Sequence, residues 1–289
     1  MFVTTSGFRK LILRIIRTCS LGLLFGLREN PTVIEQVAHY RLKMYFDRRS
    51  KQPWVFSRAA CLGNDVYRLA KIPIARHNIQ KGRCDELLRR YLQQDKSKFS
   101  RKIWGQLTRQ DIFPLIIEQE RIWWQKPAPE FVFMDSYSEL TDQLFTDKNR
   151  AISFCANYAD IKIDKSELSD ISCLGLIKIE DLKDQYFRFF SMLHNMWPKT
   201  FIIFLHFPSH REKRVSFIYR AQAIREAIGQ LQVDDKMIIS LEIPSRGQEN
   251  FQVSDDDLAD EFPYHYDERT YLVFAKKLQS AIASIPSFR

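Results

Sequence analysis

Short apolar segments alternate with helix-patterned segments along most of this 289-residue chain, and this alternation is what most constrains its fold. Apolar runs that fit strands occur at Trp54–Ser57, Ile72–Ala75, Phe131–Met134, Phe201–Phe207 and Met237–Ile243. Continuous apolar runs are typical of strands buried on both faces, as in parallel sheets. Helices between such strands form βαβ crossovers. We therefore predict an α/β fold, a flavodoxin-like three-layer sandwich with a mainly parallel sheet of about five strands.

The segments between these strands carry helical periodicity. We predict helices at Thr32–Asp47, Asn64–Ala70, Cys84–Gln94, Gln110–Trp124, Ile179–Met196, Ser216–Leu231 and Asp267–Ile285. The polar stretch Asp142–Asp170 is typical of a loop, with Ala151–Cys155 as a candidate short strand. We divide the chain into a helical N-terminal extension, residues 1–50, and an α/β domain, residues 51–289.

The start of the chain has the pattern of an amphipathic helix. Apolar residues recur at helical spacing from Phe8 to Leu23, and basic residues separate them at Arg9, Lys10, Arg14 and Arg17. The uncharged run over residues 18–27 is about ten residues long, too short to span a bilayer. We keep two interpretations: residues 8–27 bind an anionic membrane surface, or they pack on the domain. A signal peptide is a third, although no small-residue cleavage site follows the apolar run.

The net charge of +9 is concentrated in the first half of the chain. Residues 1–130 contain 25 Lys and Arg against 11 Asp and Glu, whereas the remainder contains 19 against 24. This asymmetry favours an anionic partner, such as a membrane surface, a phosphorylated sugar carrier or nucleic acid, and a solvated basic face explains it equally well. Five scattered cysteines without a CxxC pair predict neither a disulfide framework nor a zinc site, so we expect a cytoplasmic, reducing location.

Chemically active residues follow several of the predicted strands. Cys61 lies in a small-residue turn between the first strand and a helix, where a helix N-terminus favours negative charge. Because parallel strands bring their carboxyl ends to one edge, we expect the other candidates near it. They are Ser57, Arg58, Asn64 and Asp65 after the first strand, Asp135, Ser136, Ser138 and Glu139 after the third, His206, Ser209 and His210 after the fourth, and Glu261 and His265 before the last helix.

Three short segments resemble motifs of the SGNH (GDSL-like) hydrolase superfamily. The first is Ala59-Ala60-Cys61-Leu62-Gly63-Asn64-Asp65, which is similar to the Gly-Ser-Cys or Gly-Asn-Cys motif of a bacterial surface-polysaccharide branch. The second is the run from Phe131 to Ser136, a strand ending in an acid. The third is Phe262-Pro-Tyr-His-Tyr-Asp267, which resembles a terminal His-Tyr motif.

The resemblance implies an O-acyltransferase or esterase that acts on a bacterial surface polysaccharide or its precursor. Cys61 would be the nucleophile and His265 its base, while Asn64 and nearby backbone amides would bind an oxyanion. The acyl donor would be a coenzyme A thioester. The acceptor would be a polysaccharide or a sugar-phosphate or carrier-lipid precursor, and the protein would be cytoplasmic or membrane-peripheral.

The sequence departs from the family pattern at several positions. Ala59 and Ala60 stand where Gly and a polar residue are expected, and Phe262 stands where an Asp would orient His265. Glu261 or Asp260 could replace that Asp, and the Gly-x-Asn-Asp block after the third strand is missing. These departures leave open a catalytically degenerate protein that binds a glycan, a carrier lipid or a protein partner. A basic nucleic-acid-binding protein is a second alternative, although no nucleic-acid motif accompanies it.

Further residues are candidates for substrate binding or for the nucleophile. Arg58, Arg68 and Arg76 are candidate phosphate contacts, and Asp65, His206 and His210 are candidate substrate contacts. Ser136 follows Asp135 as in a GDS motif, but a domain starting near residue 125 would contain too few strands, so we place Ser136 below Cys61. The sequence identifies no third ligand beside His206 and His210, and we predict no metal.

Overall fold

Five parallel strands form the central sheet of the computed structural model, which describes residues 31–99, 101–108, 112–147, 152–162, 171–242 and 266–288. The strands are β1 (Trp54–Arg58), β2 (Ala75–Asn78), β3 (Val132–Asp135), β7 (Ile202–Leu205) and β8 (Ile238–Leu241). Their spatial order is β2-β1-β3-β7-β8, and every neighbouring pair is parallel. Counting only these strands, the order is the 2-1-3-4-5 order of flavodoxin-like folds, so the predicted fold class is confirmed.

The hydrophobic pattern of each strand reflects its place in the sheet. Every residue of the three central strands β1, β3 and β7 is buried, because helices cover both faces. The edge strand β2 is largely polar and pairs with β1 from Trp54↔Ala75 to Ser57↔Asn78. We expected this strand at Ile72–Ala75, and that placement is wrong. β2 lies at the edge of the sheet and is held by backbone hydrogen bonds to β1 alone. Its residues are largely polar, so an apolar run does not locate this strand in the sequence.

Helices lie on both faces of the central sheet. They are α2 (Cys61–Leu69), α3 (Cys84–Leu92), α7 (Leu182–Met196), α8 (Val215–Asp234) and α9 (Glu268–Ser284). Helix α2 packs against α9, whereas α7 packs against both α3 and α8. Two groups of helices therefore enclose the sheet in a three-layer sandwich.

A second, antiparallel sheet is inserted between β3 and β7. A short helix, α6 (Tyr137–Thr141), leads into β4 (Asp142–Asp147), β5 (Ile152–Asn157) and β6 (Ile171–Gly175), which lie in the order β5-β4-β6. We predicted this region to be mostly loop, and that prediction is wrong, whereas the candidate short strand at Ala151–Cys155 overlaps β5 over residues 152–155. In β4, Phe145 is the one buried apolar residue, because the other buried positions are Asp142 and Asp147. In β6, Ile171 is the one buried residue. Strands with so few buried apolar residues carry a weaker sequence signal than a fully buried strand.

The inner face of the second sheet belongs to a separate hydrophobic cluster. It packs with α1 (Pro31–Arg49), α4 (Arg101–Gly105) and α5 (Ile112–Glu118) through buried Val37, Ile103 and Ile116. Arg41 in α1 donates two hydrogen bonds to buried Glu120, at 2.8 and 2.6 Å, and so fixes this helix to the segment after α5. Helix α5 is shorter than the predicted Gln110–Trp124, because the chain turns after it and buries Trp123 and Trp124.

The predicted membrane-binding segment, residues 8–27, lies outside the described residues. In the part of the chain that the structure describes, no helix has an apolar stretch of the length that a bilayer crossing needs.

A fully buried ion pair joins the end of β1 to helix α6, which follows β3 in the chain. Arg58 at the end of β1 pairs with Glu139 in α6, and neither side chain is exposed to solvent. The Arg58 guanidinium also donates to the carbonyl oxygens of Gly82 and Asp135, both at 3.1 Å. Glu139 accepts the Cys84 N–H and the Tyr186 hydroxyl, both at 2.8 Å. One pair therefore links β1, β3, α3, α6 and α7.

We predict that Glu139→Leu lowers the free energy of unfolding by about 3–5 kcal/mol, because it leaves the buried Arg58 charge without a partner. The matched control is Asp65→Ala, which removes the exposed Asp65–Arg68 pair of α2 and should cost less than about 1 kcal/mol. Chemical denaturation measures both.

The double variant Arg58→Met with Glu139→Leu removes both charges and should recover part of the lost stability. If Glu139→Leu lowers the free energy of unfolding as little as the control does, the structural role of the pair is contradicted.

Candidate active site at the carboxyl edge of the sheet

The candidate site lies where the strand order reverses, between β1 and β3. Crevices at such switch points, outside the carboxyl ends of the strands, are where open α/β sheets bind ligands. Cys61 is the first residue of helix α2 and is partly exposed there. Asn64 N donates to Ala60 O at 2.7 Å, which closes the first turn of the helix. The N–H groups of Cys61, Leu62 and Gly63 precede this bond and belong to the first turn, where N–H groups have no carbonyl partner within the helix.

Asp135, at the end of β3, binds the backbone of the turn that carries Cys61. Its Oδ2 accepts the Ala60 N–H at 2.7 Å and its Oδ1 accepts the Tyr137 N–H at 3.1 Å. The carboxyl group is buried, and burial raises its pKa to about 7 in spite of these bonds and the nearby Arg58 charge. Asp135 therefore fixes the backbone beside the candidate nucleophile and does not itself face a substrate.

Gly63 is required by the close approach of α2 to this carboxyl group. A Cβ at this position would lie 2.7 Å from Asp135 Oδ2 and 2.7 Å from the Ala59 Cβ. Only a residue without a side chain fits these distances, so the glycine of the first motif has a packing reason.

The Cys61 thiol has a higher pKa than the sequence led us to expect. Burial and the Asp135 charge raise its pKa to about 11, and hydrogen bonding from the Leu62 and Cys61 backbone opposes this only in part. The N–H groups at the helix N-terminus favour the thiolate, but burial outweighs them, so the resting group is a thiol at neutral pH. Chemistry at Cys61 requires a base at the moment of attack.

A cluster of amide side chains supports the other side of the turn. Asn78, at the end of β2, accepts the Ala59 N–H at 2.9 Å and donates to the Ala59 carbonyl at 2.8 Å. Its amide also donates to Asn64 Oδ1 at 3.4 Å, and Asn64 Nδ2 donates to Gln80 Oε1 at 3.1 Å. Sequence reasoning missed Asn78 and Gln80 because it placed β2 three residues too early.

Ser136 is buried next to Asp135, and only 2% of it is exposed. Its Oγ accepts the Phe207 N–H at 3.0 Å and so ties the ends of β3 and β7 together. Ser138 has a comparable role, because its hydroxyl donates to Gln80 O at 3.0 Å. These placements favour the more exposed Cys61 as the nucleophile.

The candidate phosphate contacts have three different environments. Arg58 is completely buried in its ion pair with Glu139, so the expectation of a surface phosphate contact is corrected. Arg68 pairs with Asp65 at 3.1 Å on the exposed face of α2. Arg76 is half-buried with its guanidinium 4.9 Å from the centre of the Tyr67 ring, and burial lowers its pKa.

The two histidines after β7 have different environments. His206 is buried and its Nε2 lies 2.9 Å from Ser240 Oγ, and burial lowers its pKa to about 3, so the ring is neutral. His210 is exposed and stacks with Tyr266, with ring centres 6.0 Å apart. Among the described residues, no three His, Cys, Asp or Glu side chains converge as they would around a metal ion.

His265 lies outside the described residues, but the helix that follows it has a clear direction. Tyr266 stacks with His210 beyond the carboxyl end of β7, whereas Phe288 packs against Phe131 at the amino end of β3. Helix α9 therefore starts at the edge of the sheet where Cys61 lies, and it packs alongside α2. The pairing of Cys61 with His265 stays a prediction.

A cleft of about 620 Å³ opens at the opposite, amino-terminal edge of the sheet. Residues 126–130 and 196–200 line it together with Ser287. It lies far from Cys61 and its lining contains no cysteine or histidine, so we do not assign the chemistry to it.

Comparisons with known proteins give a weak likeness among solved structures. No protein-family model matches the chain, and no curated protein matches it. Among solved structures, the chain resembles salicylyl-acyltransferase SsfX3 from a tetracycline biosynthetic pathway, with a TM-score of 0.40 and 11% sequence identity. The match covers 83% of this chain and 58% of that protein. A likeness at this level carries no argument about function.

We predict that Gly63→Ala destabilises the protein by roughly 1–3 kcal/mol, because the added methyl group overlaps Asp135 and Ala59. Gly229→Ala is the matched control: Gly229 lies inside α8 and a Cβ there meets nothing within 4 Å. That substitution should stabilise the protein by roughly 0.5–1 kcal/mol. Thermal or chemical unfolding measures both, and equal effects of the two variants would refute the proposed close approach.

We predict that the pKa of Asp135 makes stability depend on pH. Between the ordinary value of 3.8 and about 7, the unfolded carboxyl group is ionised while the buried one keeps its proton. The unfolded state then binds fewer protons, so this group's contribution to stability falls as pH rises through that range and is constant above it. Asp135→Asn also loses a hydrogen-bond acceptor, but that loss does not change with pH.

The free energy of unfolding of the wild type should therefore fall relative to that of Asp135→Asn as pH rises from about 4 to about 7. Urea denaturation at a series of pH values measures it. A difference that stays constant with pH would show that the carboxyl group titrates alike in both states.

Proposed function

We propose that this protein is an SGNH-like acyltransferase or esterase that acts through a thioester on Cys61. The observation that carries the proposal is the position of Cys61: a partly exposed cysteine at the first residue of α2, at the switch point of the sheet. Nucleophiles at such strand-to-helix turns are placed against helix N–H groups that can bind an oxyanion. The alternative nucleophile Ser136 is buried and tied to Phe207.

In the proposed reaction, His265 takes the thiol proton as Cys61 Sγ attacks the acyl carbonyl carbon. The N–H groups of the first turn of α2 stabilise the negative charge on the carbonyl oxygen. The leaving group departs with the proton from His265, and the acyl group remains on sulfur. A hydroxyl group or water then attacks the thioester, gives its proton to His265 and releases the free thiol.

The raised pKa of Cys61 fits this sequence of steps. A thiol with a pKa of about 11 stays protonated until a substrate and a base are both in place. Asp135 and Asn78 contribute by fixing the backbone on each side of the nucleophile, at Ala60 and Ala59. They are positioning residues in this proposal.

For the substrates we follow the family resemblance. We propose a coenzyme A thioester as donor and a bacterial surface polysaccharide, or its sugar-phosphate or carrier-lipid precursor, as acceptor. Arg76 and Arg68 remain candidate phosphate contacts, because both lie on the elements that flank Cys61. Arg58 is excluded from this role by its burial.

The test is acyl transfer and ester hydrolysis by purified protein, with acyl-coenzyme A and a chromogenic acetate ester as probes. We expect Cys61→Ala and His265→Ala each to lower the rate at least about 100-fold, the scale of a nucleophile or general base. Cys173→Ala is the matched control, since this exposed cysteine lies in β6, away from the edge. Circular dichroism checks folding, and mass spectrometry should detect an acyl group on Cys61. Full activity of both variants would refute the site.

A second candidate is a catalytically degenerate protein that binds the same class of ligand without turnover. The alanines at positions 59 and 60, where the resembled motif has Gly and a polar residue, favour it. In that case the wild type shows no acyl-enzyme and no turnover, and Cys61→Ala keeps full function in cells.

A further inference from the structure

Helix α1 has two faces of different character. Its inner face packs on the second hydrophobic cluster through Val37, Tyr40 and Met44, which recur at helical spacing. Arg41 lies on the same side and pairs with buried Glu120 at 2.6 Å. These contacts fix the orientation of the helix, so its opposite face points to solvent.

The outer face exposes aromatic and basic side chains together. Tyr45 is 43% exposed and Phe46 is 50% exposed, and the two rings meet edge to face with centres 5.7 Å apart. Exposed Lys43 and Arg49 flank them, and exposed Lys51 follows the helix. The Arg49 guanidinium lies 3.9 Å from the centre of the Tyr45 ring.

Among the described residues, acids neutralise this face only at Lys43, which interacts electrostatically with Glu118 of α5. Asp47 is the one acid between residues 37 and 53, and its carboxylate turns inward to Arg121 at 3.1 Å. Lys126 also donates to the backbone oxygen of Asp47. The outer face therefore combines large apolar area with an excess of positive charge.

We propose that the face formed by Lys43, Tyr45, Phe46, Arg49 and Lys51 docks on an anionic lipid bilayer. A Phe side chain gains free energy at the boundary of the acyl chains, and a Tyr ring with a stacked guanidinium suits the headgroup level. Lys and Arg are attracted to anionic headgroups. Charge and apolar surface on one exposed helix face fit this partner.

A single-stranded nucleic acid is the competing partner, because it also combines negative charge with stacking surfaces. The ring arrangement favours the bilayer: Arg49 covers one face of Tyr45, and Phe46 meets the same ring edge to face. The pair therefore presents no open stack of two rings to successive bases. This inference does not depend on the proposed acyl transfer, which involves other elements.

The experiment is co-sedimentation of the full-length protein with vesicles of phosphatidylcholine alone or with about 30 mol% phosphatidylglycerol. The test variant is Phe46→Ser with Lys43→Gln and Arg49→Gln, which leaves residues 1–30 unchanged. Its matched control is Phe187→Ser with Lys183→Gln and Arg188→Gln, the same changes on an exposed face of α7. Circular dichroism and an unfolding curve check that both variants fold.

We expect wild type and control to bind the anionic vesicles, with binding lost at about 1 M salt, and the test variant to bind at least tenfold more weakly. Unchanged binding by a folded test variant overturns the proposal. An equal loss in the control also overturns it. Wild-type protein that ignores vesicles but binds a single-stranded oligonucleotide through these residues favours nucleic acid instead.

Discussion

The arrangement of the candidate site depends on one buried charge pair, Arg58 with Glu139. Burying two charges is costly, and the structure compensates with hydrogen bonds from both terminal nitrogens of Arg58 and to both oxygens of Glu139, although the Arg58 Nε–H has no partner among the described residues. Arg58 reaches the carbonyl oxygens of Gly82 and Asp135, while Glu139 accepts from Cys84 and Tyr186. These bonds fix the carboxyl ends of β1 and β3 relative to the helices on one face of the sheet. The turn that holds Cys61 follows directly from the residue that carries the guanidinium.

The backbone of the candidate site is connected to this pair through Asp135. Arg58 donates to the Asp135 backbone oxygen, and the two carboxyl oxygens of Asp135 accept the N–H groups of Ala60 and Tyr137. Asn78 holds Ala59 from the neighbouring strand. The backbone beside the candidate nucleophile is thus fixed from two strands, which is the kind of preorganisation that acyl transfer requires. The same burial makes the thiol less acidic, so the geometry favours chemistry that waits for a base.

The central fold was predictable because β1, β3 and β7 are buried on both faces and therefore appear as continuous apolar runs. The sequence also placed Cys61, Asp135 and His206 at one edge, since parallel strands share their direction. Most of the second sheet was missed because β4 and β6 bury few apolar residues, as Phe145, the one buried apolar residue of β4, illustrates. Burial of Arg58 was not predictable either: its partner Glu139 lies 81 residues away, and no local pattern reports a contact at that separation.

The contact between Gly63 and Asp135 has a consequence for how this protein can vary during evolution. A Cβ at position 63 would stand 2.7 Å from the Asp135 carboxylate, so the two positions cannot change independently. Replacement of the glycine requires a smaller residue at position 135, which releases the Ala60 N–H, and also the loss of the Ala59 Cβ, which lies equally close. Among homologues, a side chain at position 63 should therefore occur together with Gly at position 59 and a smaller residue at position 135. Such a set of changes would mark lineages in which the Cys61 turn is held in another way.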